Sequence, residues 1–450
     1  MASVSILILG GGGDLTKRLL LPGLASLLAL DGDYDVEVIG ASREEHSDEE
    51  WRDLVRDAFA SADVGEGLEK RLRATRYVSG DATDTDELRQ LIESCDGVPV
   101  IYFALPPAVT VQVCEAMRKL ELPEGTRLAL EKPFGNDQAS ARKLNRLLGR
   151  LVPEEQVFRI DHFLGMSTVL NILGLRFSNR LLEPVWNSAG VERVEIVFDE
   201  TLGLEGRGGY YDKAGALVDM IQSHLLEVLA LVAMETPPRL DEVELRSNIA
   251  QVLRSTRVFG DDPVAASRRG RYTAGTIGDR ELPAYEDEEG VDPSLGTETL
   301  AQVTFEVNTP RWHGVPFVLR SGKAIGAYRT EVRVTLRPVA PLPGLHGAPE
   351  ADSVGIDLMT GEIRMRLTMN GSGDPFQLER TELEATKAPG ELLPYGEVLR
   401  GILDGDPLLA VRGDVAEQCW RIVQPVLDAW KADEVPLDPY PAGSDGPDWD

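Results

Sequence analysis

Val4-Ser5-Ile6-Leu7-Ile8-Leu9-Gly10-Gly11-Gly12-Gly13-Asp14-Leu15 opens the chain, and its reading decides the fold. A short, almost wholly apolar run that ends at a turn signal fits a strand covered on both faces. The four glycines after it allow a tight turn. They also let backbone N–H groups approach a pyrophosphate at the start of the next helix. A glycine cluster alone fits a flexible turn equally well. Its place after a first strand and before a helix is what favours a dinucleotide. Gly10, Gly12, Gly13, Asp14 and Leu15 are the expected contacts.

Working outward, apolar runs at residues 36–41, 100–104, 128–130 and 157–160 read as further strands, with helical patterns between them. Such alternation predicts a parallel, doubly wound sheet, because parallel neighbours need crossover connections that are usually helices. Residues 1–160 therefore form an expected Rossmann-type dinucleotide-binding domain. The second strand ends at Gly40-Ala41-Ser42-Arg43. An acidic residue there would bind a ribose 2′-hydroxyl, whereas Ser42 and Arg43 suit a 2′-phosphate through a charge-assisted fork. The coenzyme reading is NADP, with NAD left open because Glu44 and Glu45 adjoin Arg43. Pro106, after the strand at 100–104, is a further expected coenzyme contact.

After residue 160 the strands become longer and alternate with period two, as at residues 191–198, 302–307, 331–337 and 362–369. This predicts a large, mostly antiparallel sheet covered by helices, so residues 161–450 are read as a second domain. Residues 214–233 have the pattern of a buried helix. The Gly/Pro/Asp-rich stretches 259–293 and 338–351 read as loops.

With 42% hydrophobic residues, the 450-residue chain can bury a large core and form two or three domains. A net charge of -29, from 75 acidic against 46 basic residues, argues against nucleic acid or an anionic membrane as a partner. It also repels anionic substrates, so a phosphate site must be built from a few local cations. Cys95, Cys114 and Cys419 show neither a disulfide framework nor zinc-ligand spacing, which predicts a reducing compartment and no metal. There is no basic segment with a cleavage pattern at the start, and no apolar run approaches the ~18 residues of a membrane span. The expected location is cytoplasmic.

One octet is more specific: Arg159-Ile160-Asp161-His162-Phe163-Leu164-Gly165-Met166. With Glu131-Lys132-Pro133-Phe134-Gly135, Glu205-Gly206-Arg207-Gly208-Gly209-Tyr210-Tyr211-Asp212, Asp219-Met220-Ile221-Gln222-Ser223-His224-Leu225-Leu226, Leu319-Arg320-Ser321-Gly322-Lys323 and Tyr440-Pro441-Ala442-Gly443-Ser444, it resembles the glucose-6-phosphate dehydrogenase family in the same order along almost the whole chain. The resemblance implies oxidation of an aldose C1 hydroxyl to a lactone, with hydride passing to the nicotinamide. It assigns His224 as the base and Asp161 as the carboxylate that orients it. Read without the family, His224 is one polar residue on an apolar helix and Asp161 a helix cap. Lys132 is implied to touch sugar and coenzyme, and Pro133 to match a position that can be cis. Glu200 and Asp219 would accept hydrogen bonds from sugar hydroxyls, with Lys323 beside them. The family also implies that residues 161–450 are a substrate-binding and dimerisation domain, with a homodimer formed through the sheet.

Five residues depart from that resemblance. Met166 stands where the octet has Lys, Phe163 where it has Tyr, and Leu19 where the first helix carries another Lys. Tyr328 replaces a Lys or Arg, and Val218 a frequent Arg. Losing two or three hydrogen bonds to a phosphate would cost about 3–9 kcal/mol, and His162 keeps one possible donor. The expectation is therefore an aldose other than glucose 6-phosphate, seated against an apolar wall of Met166 and Phe163. Two alternatives stand beside it. One is an ordinary glucose-6-phosphate dehydrogenase using Lys17, Arg207 or Lys213; the other is a non-catalytic NADP-binding homologue with a regulatory role.

Overall fold

All six residues of the first strand, β1 (Val4–Leu9), are buried in the computed structural model, which describes residues 3–449 apart from residues 66, 207, 348, 349 and 389. Parallel neighbours join it: β2 (Val36–Ser42), β3 (Ala74–Ser79), β4 (Val98–Phe103), β5 (Arg127–Glu131) and β6 (Val157–Ile160). Their order is β3-β2-β1-β4-β5-β6, the doubly wound arrangement expected from the alternating pattern. Strand order reverses between β1 and β4, and in open sheets of this kind ligands bind beyond the carboxyl ends of the strands at that point.

Helices α1 (Leu21–Leu30), α2 (Asp48–Ala60), α3 (Thr85–Glu93), α4 (Pro107–Met117) and α5 (Gln138–Leu148) follow the strands. A π-helical turn, Thr16–Leu20, leads into α1 and leaves Lys17, Arg18 and Leu19 exposed. Reciprocal hydrogen bonds between Ser47 and Glu50 start α2 as a capping box. β3 escaped the sequence reading because it is an edge strand. Its Arg76 pairs with the buried Glu37 of β2, so the run lacks a two-sided apolar pattern.

The chain divides into two compact units, and one cut does not separate them: residues 1–167, 237–247 and 390–417 form the first, and the remainder the second. Helix Pro394–Asp404 joins the first unit by lying against α1 where both are glycine. A Cβ on Gly23 would sit 2.6 Å from Cβ of Tyr395, and one on Gly396 would sit 2.5 Å from Oγ of Ser26.

In the second unit a ten-stranded sheet runs in the order Leu378–Thr386, Glu362–Asn370, Ser353–Asp357, Arg329–Leu336, Val191–Asp199, Pro316–Gly322, Leu300–Val307, Ser267–Thr273 and Leu437–Pro441. The short strand Thr256–Val258 also pairs with Leu300–Val307. Pairing is antiparallel except between Pro316–Gly322 and Val191–Asp199 and between Leu437–Pro441 and Ser267–Thr273. Two expectations need correction. Within the stretch 259–293, read as a loop, lie strands Ser267–Thr273, Gly275–Ile277 and Arg280–Leu282. Its charged side chains hid the pattern. The buried helix read over 214–233 is also not uniform: Leu217–Leu225 is π-helical and only Leu226–Ala233 is α-helical. The π segment packs on Val191–Asp199, Leu300–Val307 and Pro316–Gly322.

Candidate active site

A cavity of about 500 Å³ opens at the carboxyl ends of β1, β2 and β4, within the range of small-molecule sites. Gly10, Gly12, Gly13, Ser42, Arg43 and Pro106, named from the sequence as coenzyme contacts, line it. The glycines are required by contact as well as by conformation. Gly10 has φ +91°, and a Cβ there would fall 2.2 Å from the Ala104 carbonyl oxygen. A Cβ on Gly11 would fall 2.9 Å from Cα of Gly40. The turn closes through Gly10 N–H to the Ala41 carbonyl (2.7 Å) and Gly13 N–H to the Gly10 carbonyl (3.0 Å). This cradle, open only to a backbone without side chains, fits a dinucleotide pyrophosphate.

Asp14 and Leu15 do not line the cavity. Asp14 is exposed beside Arg18, 3.8 Å away, and Leu15 packs on the apolar core of the first unit. Thr83 and Gln112, which no motif marks, do line it.

At the end of β5, Glu131 accepts a hydrogen bond from the Tyr102 hydroxyl. Loss of solvent pushes its carboxyl up to about 7, against the downward pull of the Tyr102 and Tyr395 hydroxyls and of Lys132. The Lys132–Pro133 peptide is cis. Asp161 is buried, and one of its carboxylate oxygens accepts the Phe163 N–H at 3.0 Å, capping the turn His162–Gly165. The His162 ring stacks on Tyr395 at 6.0 Å. Phe163 is only 3% exposed, so its side chain is mostly packed in the core and offers little surface to the expected apolar wall. Met166 is half-buried.

In the second unit, the buried Lys323 ammonium lies 2.8 Å from a Glu200 carboxylate oxygen and 5.2 Å from the centre of the Tyr211 ring. The Tyr440 hydroxyl donates to the Lys323 carbonyl at 2.7 Å. Cation, carboxylate and ring thus fix one another at a buried point.

Asp219 and the buried His224 both lie on the π-helical segment. A π turn closes i→i+5 hydrogen bonds, seen where the Leu226 N–H meets the Ile221 carbonyl, and it therefore stacks residue 224 over residue 219. Glu298 caps the segment by accepting the Leu217 N–H at 3.0 Å. A Cβ on Gly215, whose φ is +67°, would lie 2.3 Å from the Glu298 carboxylate. Burial pushes the Glu298 carboxyl up to about 7. Tyr211 and Tyr440 fall inside quoted motifs but carried no role in the sequence; Glu298 left no signal at all.

Among the departing positions, Leu19 is 45% and Tyr328 57% exposed, and Val218 is half-buried. Lys17 and Lys213 are exposed, while Arg207 lies outside the described residues.

A doubly wound unit with a glycine cradle at its switch point, joined in one chain to a mixed-sheet unit bearing His224, Asp219, Glu200 and Lys323, defines a nicotinamide-dependent oxidoreductase. The chain belongs to the glucose-6-phosphate dehydrogenase family. Residues 7–171 match "Glucose-6-phosphate dehydrogenase, NAD binding domain" and residues 173–449 match "Glucose-6-phosphate dehydrogenase, C-terminal domain". It is 40% identical over 462 residues to glucose-6-phosphate 1-dehydrogenase of Gluconobacter oxydans, covering 98% of this chain and 94% of that one. A relative from Arabidopsis thaliana, "Glucose-6-phosphate 1-dehydrogenase 6, cytoplasmic", is 35% identical, with 99% and 89% covered. Among solved structures, a glucose-6-phosphate dehydrogenase in complex with its substrate glucose-6-phosphate has a TM-score of 0.86 at 28% identity, with 99% of this chain and 96% of the other covered. The protein is an NADP-dependent sugar dehydrogenase acting on a CH–OH donor.

Proposed function

We propose that the substrate is glucose 6-phosphate, oxidised at C1 to the lactone. The observation that carries this reading is the 40% identity along 98% of the chain to a protein named glucose-6-phosphate 1-dehydrogenase. Bound NADP supplies the hydride acceptor. His224 takes the proton of the C1 hydroxyl as the C1 hydride leaves and the C1–O bond becomes a carbonyl. Asp161, acting with His224, orients the imidazole and stabilises its protonated form. Glu200 and Asp219 accept hydrogen bonds from sugar hydroxyls and Lys323 donates one, while Lys132 serves both sugar and coenzyme. His162, Lys17 and Lys213 supply charge for the phosphate.

A second reading, an aldose without the 6-phosphate, is favoured by one observation: Met166, Leu19 and Tyr328 occupy positions where the family resemblance has cations. Steady-state kinetics with glucose 6-phosphate and glucose decide between them. A kcat/KM of about 10⁴–10⁸ M⁻¹s⁻¹ for the phosphate ester is expected. Faster turnover of glucose would overturn the first reading in favour of the second.

The chain is further proposed to act in the cytoplasm as a homodimer. The cytoplasmic reading is supported by the Arabidopsis relative's name, and no helix among the described residues is long and apolar enough to cross a membrane. Support for the dimer comes from the outer hairpin of the large sheet, where Met369 and Leu383 are 54% and 51% exposed.

A further inference from the structure

Recognition of NADP over NAD requires a place for one more phosphate dianion, at the end of β2. The coenzyme cavity is poorly charged for it. Among its described lining residues Arg43 is the one Lys or Arg, and it is accompanied by the carboxylates of Glu44 and Asp81. In a protein of net charge -29, one guanidinium beside two carboxylates leaves the dianion undercompensated.

His46 does not line the cavity but stands beside its glycine turn, within reach of a group bound there. Its Nε2 comes within 3.7 Å of where a Cβ on Gly12 would lie, so the imidazole stands against the glycine turn. Its ring meets the edge of Tyr77 at 5.0 Å, and the Tyr77 hydroxyl lies 2.6 Å from the Ser42 hydroxyl that lines the cavity. The side chain is 36% exposed, and its Nε2 is 3.7 Å from a Glu44 carboxylate oxygen, too far for a hydrogen bond that would hold it. Glu50 at the start of α2 also faces it electrostatically, and Asp48 accepts the Tyr77 N–H behind that ring.

We propose that protonated His46 is a second donor, with Arg43, to the 2′-phosphate of NADP, so that discrimination against NAD strengthens as pH falls. A phosphate dianion beside an imidazole favours the charged form of the ring. Binding of NADP then takes up a proton that binding of NAD does not. Glu44 competes for the same imidazole when the phosphate is absent.

The test is direct titration of the protein with NADP and with NAD, without sugar, so that it does not depend on the identity of the sugar. Wild type, His46→Gln, Glu44→Gln and the control His313→Gln, whose exposed side chain belongs to the other unit, are compared at about pH 6 and about pH 8.5. Comparing variants at one pH cancels the titration of the phosphate itself. His46→Gln is expected to lower the NADP-to-NAD affinity ratio about tenfold at the lower pH and less than about twofold at the higher. Glu44→Gln should raise that ratio at the lower pH, and His313→Gln should leave it unchanged. An equal loss at both pH values, or an equal weakening of NADP and NAD, overturns the proposal.

Discussion

Glu298 is a carboxylic acid held where its charge is disfavoured, yet it holds the helix that carries His224. Burial raises its pKa from 4.5 to about 7, although the Leu217 N–H, Arg269 and Arg271 all favour the anion. Because the folded value lies above the unfolded one, its contribution to stability is complete below about pH 4.5 and is lost as pH rises through about 7. Glu298→Gln keeps an oxygen acceptor for Leu217 but cannot ionise. Melting curves should therefore show wild type losing stability relative to the variant between about pH 5 and about pH 8, by at most about 3 kcal/mol. Parallel melting temperatures across that range would refute the assignment. For the chemistry itself, His224→Asn should lower kcat by about 10²–10⁴-fold, and Asp161→Asn should also depress kcat, both measured at saturating NADP. A kcat for His224→Asn within about threefold of wild type would remove His224 from the role of base. His224 and Asp161 could be named from the sequence because each sits in a motif, and the two variants test the roles given to them. Glu298 could not, since it lies 81 residues from the N–H it caps and its flanking threonines carry no signature. Tyr440 donates across 117 residues to the Lys323 carbonyl, a relation that no local pattern encodes.

Helical type matters as much as helical presence at the level of the element. On an α-helix, at about 100° per residue, positions 219 and 224 would point about 140° apart. The π segment Leu217–Leu225 stacks them instead, so the proposed base and a proposed sugar ligand share one face. Gly215 sets the entry to this segment, with φ +67° and no room for a Cβ beside Glu298. Gly215→Ala should destabilise the protein by about 1–3 kcal/mol in urea unfolding and lower kcat more than it raises KM. Wild-type stability and activity in that variant would mean that the turn does not govern the segment. The apolar run 214–233 announced a buried helix, but its hydrophobicity is the same for i→i+4 and i→i+5 bonding, so the register stayed hidden. Strands with both faces apolar, such as β1 and β4, were read correctly. The edge strand β3 and Ser267–Thr273, whose charges are satisfied by Glu37 and Asp433, were not.

Across the whole molecule, a charge of -29 per chain opposes self-association, so a homodimer needs an apolar surface to overcome it. The outer hairpin offers one. In the register of Glu362–Asn370 with Leu378–Thr386, Ile363 pairs with Ala385, Met365 with Leu383 and Leu367 with Thr381 on one face. The opposite face pairs Arg364 with Glu384 and Arg366 with Glu382, where the charges satisfy each other in ion pairs. Strands of this composition, one face apolar and half-exposed and the other ion-paired, are suited to burying the first face against a second copy. The period-two pattern at residues 362–369 made this amphipathic strand legible, though the sequence did not say which face lies open. Met365→Glu combined with Leu383→Glu would place four carboxylates in a twofold interface, each costly to desolvate without a partner. Light scattering coupled to size-exclusion chromatography should show a dimer for wild type and a monomer for the double variant. Circular dichroism should be the same for both, because the replaced side chains face outward. A double variant that stays dimeric would move the interface elsewhere on the molecule, and a monomeric wild type at micromolar concentration would remove the dimer itself.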